Sequence, residues 1–245
     1  MKIFGIGMNY AAHTEELHSV LTNPEGAGAD PVVFTKCDSA MLIPGKPFFI
    51  PDHLGRIDYE AELVVRICRL GKNISERFAH RYYDAVTVGI DFTAREQQQQ
   101  ASRNGLPWTI AKGFDGSAAI GEWVDIKRGE RREERGERAA AISFRLDKNG
   151  ETVQRGSTAY MIHSIDQLIS YISRFFTLKT GDLIYTGTPV GVGPVAIGDH
   201  LEGWILNEEG GTRNEEGGTR SEEGGMKRSA LPLCSAKKVL DLYCR

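Results

Sequence analysis

Continuous and alternating apolar runs dominate the chain. They predict strands at 31–35, 62–68, 86–92, 142–146, 183–186 and 238–243. Helical spacing is rarer. Residues 10–21 carry Leu17, Val20 and Leu21 on one face, and a second helix starts near Ser75 and continues toward Tyr83. A third covers 164–175, where Ser164 is placed to cap and Ile165, Leu168, Ile169 and Ile172 form an apolar stripe. Gly181-Asp182 breaks the chain before the next strand. The pattern is mainly β (α+β) with a few helices at its margins, and it lacks the regular alternation of a βαβ fold.

Polar residues inside these runs are the informative ones. The stretch 57–65 reads as one strand, so Glu60 and Glu62 point to one face while Tyr59, Ala61 and Leu63 point to the other. Asp91 ends a second apolar run, Val88-Gly89-Ile90. Carboxylates gathered among apolar residues repel one another unless a positive charge sits between them, and a hard divalent cation with oxygen ligands meets that need. A solvated strand face with two ordinary glutamates fits the same pattern.

Other chemistry is suggested more weakly. His13 and Glu16 share a helix face, where a carboxylate orients an imidazole for proton transfer; a surface histidine reads the same way. Lys112 stands in the apolar setting Ile110-Ala111-Lys112-Gly113-Phe114, fit either for stabilising an oxyanion or for snorkelling to the surface. The glycines of 186–194 free backbone N–H groups to meet an anion, or simply build tight turns. Gly5-Ile6-Gly7 follows a strand but lacks the third glycine of a dinucleotide loop.

Composition narrows the class. The chain has 245 residues, a hydrophobic share of 40%, a charged share of 26% and a net charge of −3, and its pI is near 6.1. That balance favours neither nucleic acid nor an anionic membrane as partner, and no apolar run has the length of a membrane span. The strand pattern starting at Ile3 leaves no room for a signal peptide, and Cys37, Cys68, Cys234 and Cys244 lack ligand spacing. Free thiols in a reducing cytoplasm are the expectation.

The length suits a single catalytic domain over 1–245. Residues 127–140 are charged with no apolar face and read as a solvated loop. Asn207 begins the unit NEEGGTR, repeated from Asn214 and loosely from Ser221; two glycines per unit and no apolar seam make 206–236 a disordered low-complexity insertion.

Taken in order, GIGMNYAAHTEEL from Gly5, IDYEAELVVRI from Ile57, VGIDFTAREQQ from Val88, GLPWTIAKGFD from Gly105 and SRFFTLKTGDLIYTGTPVGVGP from Ser173 resemble the fumarylacetoacetate hydrolase family, in its short acylpyruvate hydrolase and oxaloacetate decarboxylase type. The resemblance implies a mixed β-roll or β-sandwich and a homodimer. It implies Mg²⁺ or Mn²⁺ held by Glu60, Glu62 and Asp91, a His13–Glu16 dyad, an active-site Lys112, and substrate contacts from Arg95, Gln98 and Thr188. The reaction implied is metal-assisted C–C cleavage of an acylpyruvate-like 2,4-diketo acid, or decarboxylation of oxaloacetate. There, His13 takes a proton from water and the pyruvate enolate leaves beside Lys112. Isomerisation of a 2-hydroxy-diene dicarboxylate on the same scaffold is the alternative enzyme, and a non-catalytic scaffold the alternative of another class. The run 97–100 is all glutamine where the family pattern has a helix with apolar positions.

Overall fold

The computed structural model describes residues 1–10, 30–126, 141–206 and 236–245. The helix expected at 10–21, the charged run 127–140 and residues 207–235 of the expected insertion lie outside them, apart from Tyr10, which bridges to Met161.

Three sheets build the fold. The largest runs β2 (Val32–Lys36), β1 (Ile3–Gly7), β11 (Leu183–Tyr185), β4 (Ala61–Ile67), β5 (Tyr83–Asp91), β7 (Ala118–Ile120), with β8 (Val124–Asp125) also paired to β5. Only the β1–β11 pairing is parallel. Leu63, Val64 and Val65 are all fully buried, which is why β4 reads as a continuous apolar run. Gly5 lies where a Cβ would meet the Phe34 ring at 2.2 Å, so close strand packing, with no nucleotide, explains that glycine.

A four-stranded antiparallel sheet follows the order β10 (Glu151–Ser157), β9 (Ser143–Lys148), β13 (His200–Leu206), β14 (Ala236–Tyr243). It closes over β5: a Cβ on Gly203 would lie 2.9 Å from Val88, and one on Gly121 would lie 2.2 Å from the Val239 carbonyl oxygen. Phe144, Leu146, Leu201 and Leu240 pack with Val86, Val88 and Ile90 in one core. Leu206 pairs with Ala236, so both ends assigned to the 206–236 insertion belong to strands and the ladder continues to its edge.

The stretch 57–65 is not one strand. β3 (Ile57–Tyr59) pairs with β6 (Thr93–Ala94) and β12 (Gly193–Pro194), whereas β4 joins the large sheet. The chain changes sheets at Glu60, whose carbonyl accepts from Asp91 N at 2.9 Å.

Among the described residues four α-helices fill the margins: α1 (Glu76–Ala79), α2 (Arg95–Arg103), α3 (Thr109–Lys112) and α4 (Ile165–Phe175). Ser164 caps α4 in a reciprocal box with Gln167, and Ile165, Leu168, Ile169 and Ile172 are buried as their spacing predicts. The glutamines of 97–100 sit in α2, whose one buried residue is Arg95. The fold is the expected strand-rich roll. Among the described residues no helix is long and apolar enough to cross a membrane.

Candidate metal centre and its ion-pair cluster

The seam between the sheets gathers the acidic residues. Glu60 stands between β3 and β4, Glu62 is the second residue of β4, and Asp91 ends β5 opposite them. One carboxylate oxygen from each lies within 4.8 Å of the other two, and all three residues are buried.

Cations surround them. Lys112 Nζ, at the end of α3, donates to Glu60 Oε2 at 2.7 Å, Asp91 Oδ2 at 2.8 Å and Thr93 Oγ1 at 2.7 Å. Arg95 opens α2 and spreads its guanidinium over Asp58 Oδ2 (2.8 Å), Glu60 Oε1 (2.6 Å) and Gln98 Oε1 (2.5 Å). Lys36, the last residue of β2, pairs with Asp91 Oδ1 at 2.6 Å. Its ammonium also donates to the Lys112 carbonyl and, at 3.1 Å, to both oxygens of Ser117.

This crowding shifts the titrations. Burial raises the Glu62 carboxyl well above its ordinary value; Asp91 and Glu60 push it the same way, and Lys112 and the Gly187 N–H oppose them. Burial works against the Lys112 charge, but Asp91 and Glu60 outweigh it and the ammonium is held more firmly than usual. For Lys36 burial wins, and its value falls despite Asp91.

The loop after β11 closes one side. Gly187 N donates to Glu62 Oε2 at 2.6 Å, so the anion met by this glycine loop is the protein's own carboxylate. Thr188 Oγ1 donates to Ala61 O at 2.8 Å and accepts from Gln154 Nε2 at 2.9 Å. Gln154 also binds Ala61 N (2.9 Å) and Pro189 O (2.9 Å), tying the residue between the two glutamates to the loop.

The structure therefore brings together Glu60, Glu62, Asp91, Lys112, Arg95 and Gln98. Thr188 borders them with its hydroxyl engaged by the backbone. His13 and Glu16 lie outside the described residues. Sequence reasoning missed Lys36, Asp58 and Gln154. A lysine ending the apolar run Val32-Val33-Phe34 was the available signal for the first; nothing local marks the other two.

The acid set fits a hard divalent cation: Glu60, Glu62 and Asp91 offer three clustered, buried oxygen donors. A second group, His200, Glu202 and Asp241, is more exposed, and Lys238 already bonds Glu202 (3.0 Å) and Asp241 (2.8 Å).

Known proteins share this arrangement's chain and fold. A mitochondrial oxaloacetate tautomerase, FAHD1, of Arabidopsis thaliana is 40% identical over 200 residues, 82% of this chain and 84% of that one. The structure of a fumarylpyruvate hydrolase from Pseudomonas aeruginosa in complex with Mn²⁺ and pyruvate superposes with a TM-score of 0.72 at 34% identity, covering 84% of each chain. A 2-hydroxyhepta-2,4-diene-1,7-dioate isomerase from Mycobacterium marinum gives 0.68 at 32% identity, over 83% of this chain and 69% of that one. The family model for the fumarylacetoacetate (FAA) hydrolase C-terminal region matches residues 2–218, and the chain belongs to that family.

Proposed function

We propose that the protein is a divalent-metal-dependent enzyme of 2-oxo acids, acting through a substrate enolate. The observation that carries this is the buried set Glu60, Glu62 and Asp91, with Lys112 and Arg95 directly against it. Glu60, Glu62 and Asp91 would hold Mg²⁺ or Mn²⁺, which when bound supplies Lewis-acid stabilisation of an enolate oxygen. Lys112 adds a fixed cation beside the same carboxylates, and Arg95 with Gln98 offers donors for a substrate carboxylate.

The 40% identity to an oxaloacetate tautomerase brings keto–enol exchange of oxaloacetate forward as the first reading. That exchange moves a proton between the enol oxygen and the carbon next to the carbonyl carbon, and it consumes no water. Hydrolysis of acylpyruvates, the reading the sequence put first, is the second. It is favoured by the likeness to a fumarylpyruvate hydrolase and by His13 with Glu16, which would draw a proton from water.

Two substrates separate the readings. Purified protein is given the enol of oxaloacetate, then acetylpyruvate, each with Mn²⁺ and with chelator. Metal-dependent acceleration of enol decay without CO₂ release supports tautomerisation. Metal-dependent formation of pyruvate and acetate supports hydrolysis. A folded, metal-loaded protein inactive on both refutes the proposal.

The substrate partner is thus a small 2-oxo acid, and no nucleic acid or membrane is invoked. Assembly as a homodimer is part of the same reading: the exposed Phe49, Ile197 and Tyr243 belong to stretches joined by the Phe48–Cys244 bridge and the Gly198 N to Cys244 O bond. Light scattering on the purified protein tests it. Cys37, Cys68 and Cys244 form no disulfide among the described residues, which suits a reducing compartment such as the cytoplasm.

A further inference from the structure

Lys36 has no place in the proposed chemistry, yet it is the most enclosed cation of the cluster. Its side chain is 0% exposed, and that of its partner Asp91 is 1% exposed. Asp91 Oδ1, the Lys112 carbonyl and both oxygens of Ser117 surround its ammonium, so four acceptors compete for three protons. No proton is left to offer a substrate. Lys112 spends its three protons too, but on side chains alone, those of Glu60, Asp91 and Thr93.

The charges of the buried cluster decide what such a lysine does. Asp58, Glu60, Glu62 and Asp91 face Arg95, Lys112 and Lys36, and the half-exposed Arg56 also holds Asp58, at 2.6 Å, so the charges balance when all are ionised. Ligation requires ionised carboxylates, and a divalent cation then brings the cluster to two net positive charges. Without Lys36 the loaded cluster would keep one. A 2-oxo acid arrives as an anion, so the buried charge of Lys36 adds to the pull on the substrate.

We propose that Lys36 is a fixed counter-ion that adds one positive charge to the metal-loaded centre, weakening metal binding while strengthening binding of the anionic substrate. It acts through Asp91 and is a positioning residue. The inference rests on the metal-dependent reading above and adds a direction to it: two affinities of the same site should move oppositely.

The test measures binding only. Mn²⁺ affinity is read from the free-ion electron paramagnetic resonance signal, and pyruvate affinity by calorimetry on Mn²⁺-saturated protein, for wild type, Lys36→Met and Lys36→Arg. Lys36→Met should bind Mn²⁺ about tenfold more tightly and pyruvate about tenfold more weakly, the scale of one charge removed at short range. Lys36→Arg keeps the charge and should restore pyruvate binding. Lys36→Gln, which keeps a donor for Ser117, replaces Lys36→Met if that variant does not fold. Both affinities falling together would mean a merely structural lysine, and neither moving would mean a silent one; either overturns the inference. A wild type that takes up no Mn²⁺ would instead remove the metal reading itself.

Discussion

Replacing Glu62 by glutamine should stabilise the metal-free protein while removing its metal binding. Glu62 is 1% exposed and shares its surroundings with two more carboxylates. Two unit charges at about 5 Å repel by roughly 3 kcal/mol at an effective dielectric near 20, and the neighbouring lysines offset part of it. The fold responds by raising the proton affinity of Glu62, chiefly through burial and then through Asp91. A raised carboxyl value has a definite sign. The folded state binds more protons than the unfolded one, so stability is highest below the unfolded value of about 4.3 and falls as pH climbs toward the folded value. The slope is at most about 1.4 kcal/mol per pH unit. Glutamine is isosteric, still accepts from Gly187 N, and has no proton to lose. The advantage of Glu62→Gln over wild type should therefore grow with pH. Each 1 kcal/mol of it should appear as about 2–4 °C in Tm for a chain of this size. Thermal unfolding of chelator-treated proteins between pH 5 and 8 checks it, with Mn²⁺ titration beside it. Parallel Tm profiles for the two proteins, or retained Mn²⁺ binding, would refute the reasoning.

Four other substitutions probe the surroundings. Gln154→Leu strips partners from Ala61 N and Pro189 O and should cost about 2–4 kcal/mol in urea unfolding with an unchanged m-value. Gly191→Ala would place a Cβ 2.2 Å from Val153 O at φ +98°, and should cost about 3 kcal/mol, whereas Gly150→Ala at φ +84° has open space around it and should cost only about 1 kcal/mol. His13→Ala should lower kcat by about 10²–10⁴-fold and leave the Mn²⁺ affinity unchanged; a parallel loss of metal would reassign His13 to the ion.

β4, β5 and β11 could be read from their apolar runs because burial of both faces leaves few polar positions to confuse the period, whereas the short β7 and β8 went unread. The break at Glu60 could not be read. A sheet change needs only one residue of altered pairing, and the alternation of 57–65 runs straight through it. β10 was missed although its signal was present. Asn149-Gly150, at φ 53° and 84°, is the left-handed pair that a two-residue hairpin favours. At the site, Glu60, Glu62 and Asp91 were visible because carboxylates are rare in apolar runs. Gln154 was invisible, since its importance comes from partners at Ala61, Thr188 and Pro189, far away in sequence. Lys112 was undecided between surface and site until its burial was known.

The buried cluster also constrains how this chain can change over generations. Asp58, Glu60, Asp91, Arg95, Lys112 and Lys36 are connected through shared ion-pair partners, so losing any one of these charges strands another in a poorly solvated interior. Single replacements of a paired member are penalised, while matched removal of an opposite pair can be nearly neutral for folding. Drift at these positions would then proceed by compensating pairs. A descendant that had abandoned the chemistry would be recognised by the joint loss of an acid and its base, with the rest of the cluster intact.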